Sequence, residues 1–312
     1  SLGPRLSLSS RGGRSRPAGA GGPPERRCEE GQRGAGEISR TMADGSSQTS
    51  KVDFKIHAEL LRLITYVMFW VMVLVSIFVT KVFVKPDLTD TPLVHTLGYN
   101  NICIYFDHSP AREVAAAIYP FVEIPLVAYV ILNFLTTREF WQVGRISGAL
   151  YRVYQLTLPV EFVLAVLFRM VFVIDGFQNI QGHTIGFLGL QLLLCLISTK
   201  NLLVDRELGE TPGRGLVGQK AARVLAILYV LLLCVSSALK IIHTAALLFT
   251  GSGIFDVTTS GGVAIAKTLD YMWMVLAAVI PALIAFQQMR STLALNSLTV
   301  TIELPVPSAV EP

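Results

Sequence analysis

Six blocks of this sequence are each long and apolar enough to cross a bilayer, and nothing else constrains the fold as strongly. A helical span needs about 20 mostly apolar residues to cross about 30 Å of hydrocarbon. The blocks cover 60–84, 115–135, 150–174, 185–204, 222–249 and 269–286. The fourth is the weakest, because Ser198, Thr199 and Lys200 interrupt its end. Membrane barrels alternate apolar and polar residues, and these blocks do not. A helix also satisfies its own backbone hydrogen bonds where no water is available. The expected fold is therefore all-α: a polytopic membrane protein, a six-transmembrane-helix bundle with a disordered N-terminal tail.

Composition narrows the function classes. Charged residues make up 15% of the chain and hydrophobic ones 52%. Soluble domains average about 25% charged. This excludes a soluble nucleic-acid binder, an ordinary cytosolic enzyme and a wholly disordered chain. The net charge of +4 misleads, because residues 1–41 alone carry eight Arg against four Glu. From Met42 onward the charge sums to about zero. The first segment is rich in Gly, Pro, Arg, Ser and Ala, as GC-rich untranslated RNA read in frame would give. The domain reading is a disordered tail or translated untranslated-region extension over 1–41, with Met42 as the expected start. A short cytoplasmic flank over 42–58, the helical domain over 59–289 and a short cytoplasmic tail over 290–312 follow.

Lys and Arg between the blocks set the expected orientation. The N-terminal flank has Lys51, Lys55 and Arg62, and the connection after the second block has Arg138, Arg145 and nearby Arg152. The connection after the fourth has Lys200, Arg206, Arg214, Lys220 and Arg223. The connection after the third has none and that after the fifth only Lys267. The loop 85–112 mixes Lys85 and Arg112 with Asp87, Asp90 and Asp107. Both termini are expected in the cytoplasm, with the first span acting as a signal anchor. The sequence leaves plasma and internal membranes open.

Ionisable residues at membrane depth usually face the bundle interior and mark pathways. Glu123 sits in Phe121-Val122-Glu123-Ile124-Pro125 and Glu161 in Pro159-Val160-Glu161-Phe162-Val163. Each carboxylate lies two residues from a proline that removes a backbone donor. Arg169 is eight residues beyond Glu161, about 12 Å along the helix and about 80° around it, so those two do not pair. Ser236, Lys240 and His243 share one face of the fifth block, and Asp270 opens the sixth. The expected substrate or ion pathway comprises Glu123, Glu161, Arg169, Lys240, His243 and Asp270. Five of them would form an outward-facing pocket of mixed charge, with Glu161 slightly deeper. The competing reading makes the same residues interfacial anchors or helix–helix glue.

Other motifs carry less. Gly213-Arg214-Gly215-Leu216-Val217-Gly218 fits the dinucleotide pattern but follows a membrane block rather than a strand. The four Cys form no CxxC motif or paired framework. The five His offer no pair for haem, and His95, Asp107 and His108 match no zinc spacing. Ser252 and Ser260 lie in glycine-rich turns without a protease signature. No cofactor, metal or catalytic residue is expected, and an enzyme is disfavoured. Gly186, Gly189 and the Ala277, Ala278, Ala282, Ala285 series read as close helix packing. The expected partners are the lipid bilayer and a small ion or polar solute, with a second copy or a membrane partner protein left open and no nucleic acid. The leading function is a small transporter or channel for a cation, proton or small polar solute. The alternative is a non-transporting scaffold or assembly partner using 85–112 and 200–223.

Overall fold

The computed structural model describes residues 7–8, 49–209, 218–291 and 297–305. The tail expected over 1–41 lies almost wholly outside the described residues, as does most of the glycine-rich stretch 213–218. The chain divides into two units, one comprising Ser1–Ile56 with Leu298–Pro312 and the other His57–Ser297.

In the first unit three strands pair in the order Ser7–Leu8, Ser297–Pro305, Thr49–His57. Ser7 lies opposite Thr301 and Leu8 opposite Val300 in an antiparallel ladder. Sequence reasoning treated these stretches as flank, tail and extension. The signal was present nonetheless: apolar residues alternate at 52, 54 and 56 and again at 298, 300, 302 and 304, which is the strand period.

The second unit is all-α and holds six candidate spans: Ala58–Val84, Ala111–Gln142, Gly148–Val173, Ile180–Leu208, Gln219–Thr250 and Ser260–Met289. Their length and composition make the chain an integral, multi-pass membrane protein. Several ends follow familiar stop and start chemistry. The Ser147 hydroxyl accepts from the Leu150 N–H, Asn179 from Gly182 and Thr259 from Gly262. Gly209 and Gly251 close the fourth and fifth spans with positive φ, where a side chain would be strained. The first span passes into a π-helical turn at Thr80–Val84, and the sixth has one at Val275–Val279. The second and third spans keep Pro125 and Pro159 inside their helices.

Each span packs on its neighbour in sequence, and the last turns of the sixth return to the first. The fourth span, weakest by hydropathy, is the most interior: half of its apolar window is buried, against 22% for the third and fifth. Its polar residues are tolerated because they face protein rather than lipid. A Cβ on Gly186 would lie 2.9 Å from a Val171 methyl and one on Gly189 would lie 3.0 Å from a Leu167 methyl. Those glycines let the fourth span lie close against the third. Outward faces carry exposed Leu74, Phe78, Leu225, Leu231 and Leu283, which implies a lipid environment.

Loop 85–110 is not an open arm. Two short helices, Pro92–Leu97 and Ile104–Asp107, bury Leu93, Leu97, Ile104 and Phe106. Phe106 joins an aromatic cluster with Phe172 and Phe187, at ring separations of 6.0 and 6.4 Å.

Candidate functional site

Glu123, Glu161 and Asp270 each meet a cation across a helix contact, in three separate pairs. Arg169, at the break between Gly148–Leu167 and Met170–Val173, grips Glu123 of the second span with a fork. Its Nε donates to both carboxylate oxygens at 2.7 and 2.8 Å, and Nη2 to Oε2 at 2.7 Å. The Glu123 side chain is buried while 60% of the Arg169 side chain is exposed. Glu161 of the third span is paired with Lys200 of the fourth, both buried. Lys200 also donates to the Thr157 hydroxyl at 3.2 Å and stands 4.0 Å above the Tyr154 ring. Sequence reasoning counted Lys200 as a loop cation and Arg62 as a flank cation. Both are buried within spans, so neither contributes to a loop charge count.

The third pair is Lys240 of the fifth span with Asp270 of the sixth. Asp270 Oδ2 also accepts from the Tyr99 hydroxyl at 2.5 Å. Burial holds the Tyr99 phenol protonated well above its usual range, so it serves as the donor. The Lys240 ammonium lies 5.0 Å from the Trp273 ring centre, within cation–π range.

This third pair lines a cavity of about 310 Å³ at the bundle end that carries loop 85–110. Trp70, Tyr99, Tyr105 and Trp273 supply aromatic wall, and Asn101, Cys103 and Thr244 supply polar atoms. Exposed Lys267 and Tyr271 stand at its rim, 6.0 Å apart as cation and ring. The volume is at the small end of pockets that hold organic ligands. Its lining combines apolar walls with a few polar groups.

Of the six residues expected to form a pathway, only Lys240 and Asp270 meet in this cavity. Glu123 with Arg169 and Glu161 with Lys200 lie in other helix contacts. His243 is packed under the turn after the fifth span: its Nδ1 accepts from the Phe255 N–H at 3.3 Å, and Gly253 lies against its ring. Tyr99 and Lys200 were not among the residues expected to form the pathway. A tyrosine in a loop has no distinctive pattern, and Lys200 stood at a block end where a loop was plausible.

Two further polar clusters were also missed. His183 Nδ1 lies 3.2 Å from the Ile174 carbonyl, which makes it the N–H donor and leaves Nε2 as acceptor. Asp107 Oδ1 sits 3.3 Å from that Nε2. Burial, with help from Asp175, raises the Asp107 carboxyl to about 7, against the opposing pull of Arg112. A protonated Asp107 donating to His183 fits this arrangement. At the opposite end of the bundle, Arg62 donates to Gln288 at 2.8 Å, pairs with Glu59 and lies 5.7 Å over Tyr129. Asn201 donates to Tyr129 at 2.7 Å and accepts from Asn133 at 3.0 Å. These bonds tie the first, second, fourth and sixth spans together there.

Among the described residues no group of three or more His, Cys, Asp and Glu is placed to hold a metal ion. No family model matches the chain, and no curated protein or solved structure shows significant similarity to it.

Proposed function

We propose that this membrane protein carries a small polar solute, taken up in the cavity at Lys240 and Asp270. The observation that carries this reading is the cavity itself, about 310 Å³ with an ion pair and a tyrosine hydroxyl in its wall. A cation or proton route through Glu123 and Glu161 is less favoured. Each of those carboxylates is already neutralised by its own cation, in a different helix contact. The scaffold reading loses ground because loop 85–110 packs its apolar side chains inward.

We further propose that both termini are cytoplasmic, so that the cavity faces outward. Arg138, Arg145, Arg152, Arg206 and Lys220 all lie toward the opposite end from the cavity.

The test is solute uptake by proteoliposomes holding the full chain, beside Asp270→Asn and Lys240→Met. Uptake of a small polar solute that both variants lower supports the reading. Proton or sodium flux that both variants leave unchanged would overturn it.

A further inference from the structure

Below the cavity, the interface of the fourth and fifth spans carries a run of uncharged polar groups. Phe187 of the fourth span lines the cavity. Further along that helix come Gln191, Cys195 and Thr199, over about 18 Å of rise and turning by about 40° at each step. Cys195 approaches the Leu233 carbonyl at 3.9 Å and interacts with Ser237 and Cys234 of the fifth span. Thr199 Oγ1 lies 3.5 Å from the Cys234 sulfur. Ser198 and Tyr229 then reach the Arg62 and Gln288 cluster at the far end of the bundle.

Gln191, one turn before Cys195 on the fourth span, is the anomaly. It is fully buried, and among the described residues neither its amide oxygen nor its nitrogen has a hydrogen-bond partner. The Ser237 hydroxyl is likewise buried, with the Cys195 thiol as its neighbour. Unpaired polar groups in an apolar interior are costly, and each needs a reason. Leucine would fill the Gln191 position without that cost. A passing hydrogen-bonding molecule supplies the missing partners.

Resting on the solute-carrier reading, we infer that the seam between the fourth and fifth spans is the exit route from the cavity, and that the solute is uncharged, with Gln191 its hydrogen-bonding station. Gln191, Cys195, Thr199, Cys234 and Ser237 offer donors and acceptors but no counter-charge. An ion entering this stretch would meet no opposite charge at membrane depth. Inside the cavity Asp270 is held by Lys240 and Tyr99, and the second cation, Lys267, stands exposed at the rim. The seam is shut in this structure, and passage requires the two spans to part.

The experiment is stopped-flow light scattering of proteoliposomes holding the full chain, with glycerol and urea as neutral probes and sodium and chloride as ionic ones. Gln191→Leu and Ser237→Ala are measured beside the wild type, with thermal unfolding of each. The expected result is glycerol or urea permeation with no ion flux, lowered about tenfold by Gln191→Leu. Gln191→Leu should unfold no earlier than the wild type, because it removes an unpaired amide. Should Gln191→Leu fail to fold, Ser237→Ala takes its place with the same expected loss. Neutral-probe flux unchanged by either variant overturns the seam and leaves the solute reading standing. Ion flux that Asp270→Asn blocks overturns the neutral class alone. Silence with all four probes overturns the inference together with the reading beneath it.

Discussion

Lys200 of the fourth span closes on the Glu161 carboxylate of the third, with both side chains buried and the Tyr154 ring 4.0 Å from the ammonium. Burying two charges costs several kcal/mol each, and only close pairing offsets it. Lys200→Met leaves Glu161 unpaired and should destabilise the bundle by about 3–5 kcal/mol. Glu161→Leu combined with Lys200→Met removes both charges and should recover most of that loss. Unfolding in mixed micelles as a double-mutant cycle checks it; independent, additive losses would show that the pair is not coupled.

The same pair marks the boundary of what the sequence made legible. The six spans could be read because lipid demands long apolar blocks, whatever the tertiary packing. The partner of Glu161 could not, because it depends on the rotation and depth of the fourth span against the third. Ser198, Thr199 and Lys200 weakened the fourth block, yet they do so because that span is the most interior. The π-helical turns at Thr80–Val84 and Val275–Val279 change hydrogen bonding without changing hydropathy, so no pattern announces them. The cavity joins residues as distant as Trp70, Tyr99 and Asp270, and only Lys240 and Asp270 had been singled out.

Gly186 sits where the fourth span approaches the third most tightly. A Cβ there would meet a Val171 methyl at 2.9 Å and the Leu167 carbonyl oxygen at 3.2 Å. The methyl can yield a little, the backbone oxygen less. Gly186→Ala should destabilise by about 1–3 kcal/mol, the usual cost of overpacking. Gly261→Ala is the control, because nothing lies within 4 Å of its added Cβ. It should change stability by less than about 0.5 kcal/mol. Equal thermal shifts in the two variants would refute the close contact.

Asp107 predicts a pH dependence of stability. Burial, aided by Asp175, raises its carboxyl from the ordinary carboxylate range to about 7. The native state therefore holds the proton to a higher pH than the unfolded chain does. Its contribution is full below about pH 4 and is lost as pH climbs through about 7. The Asn side chain of Asp107→Asn keeps a donor toward His183 Nε2 and does not titrate. That variant should flatten the fall in stability between about pH 5 and pH 8. Thermal unfolding across that range decides it, and a wild-type profile retained in the variant would assign the titration elsewhere.

Tyr99 tests whether the loop covers the cavity or merely lies beside it. Its hydroxyl donates to Asp270 Oδ2 at 2.5 Å, linking the stretch after Pro92–Leu97 to the sixth span. The same oxygen lies 3.3 Å from the Ala266 carbonyl, but one proton cannot serve both acceptors well. The short contact to the carboxylate takes it. Tyr99→Phe keeps the ring and removes only that bond, so the bundle should fold with a loss of about 1–2 kcal/mol. Asp270 keeps Lys240 as its partner, so no buried charge is stranded. The loop, however, loses its tether to the cavity wall. Amide hydrogen exchange over 98–103 should accelerate in Tyr99→Phe while exchange within the fourth span stays unchanged. Unaltered exchange in 98–103 would show that apolar burial of Leu97 and Ile104 holds the loop by itself, and that the Tyr99–Asp270 bond serves the charge balance of the cavity rather than its closure.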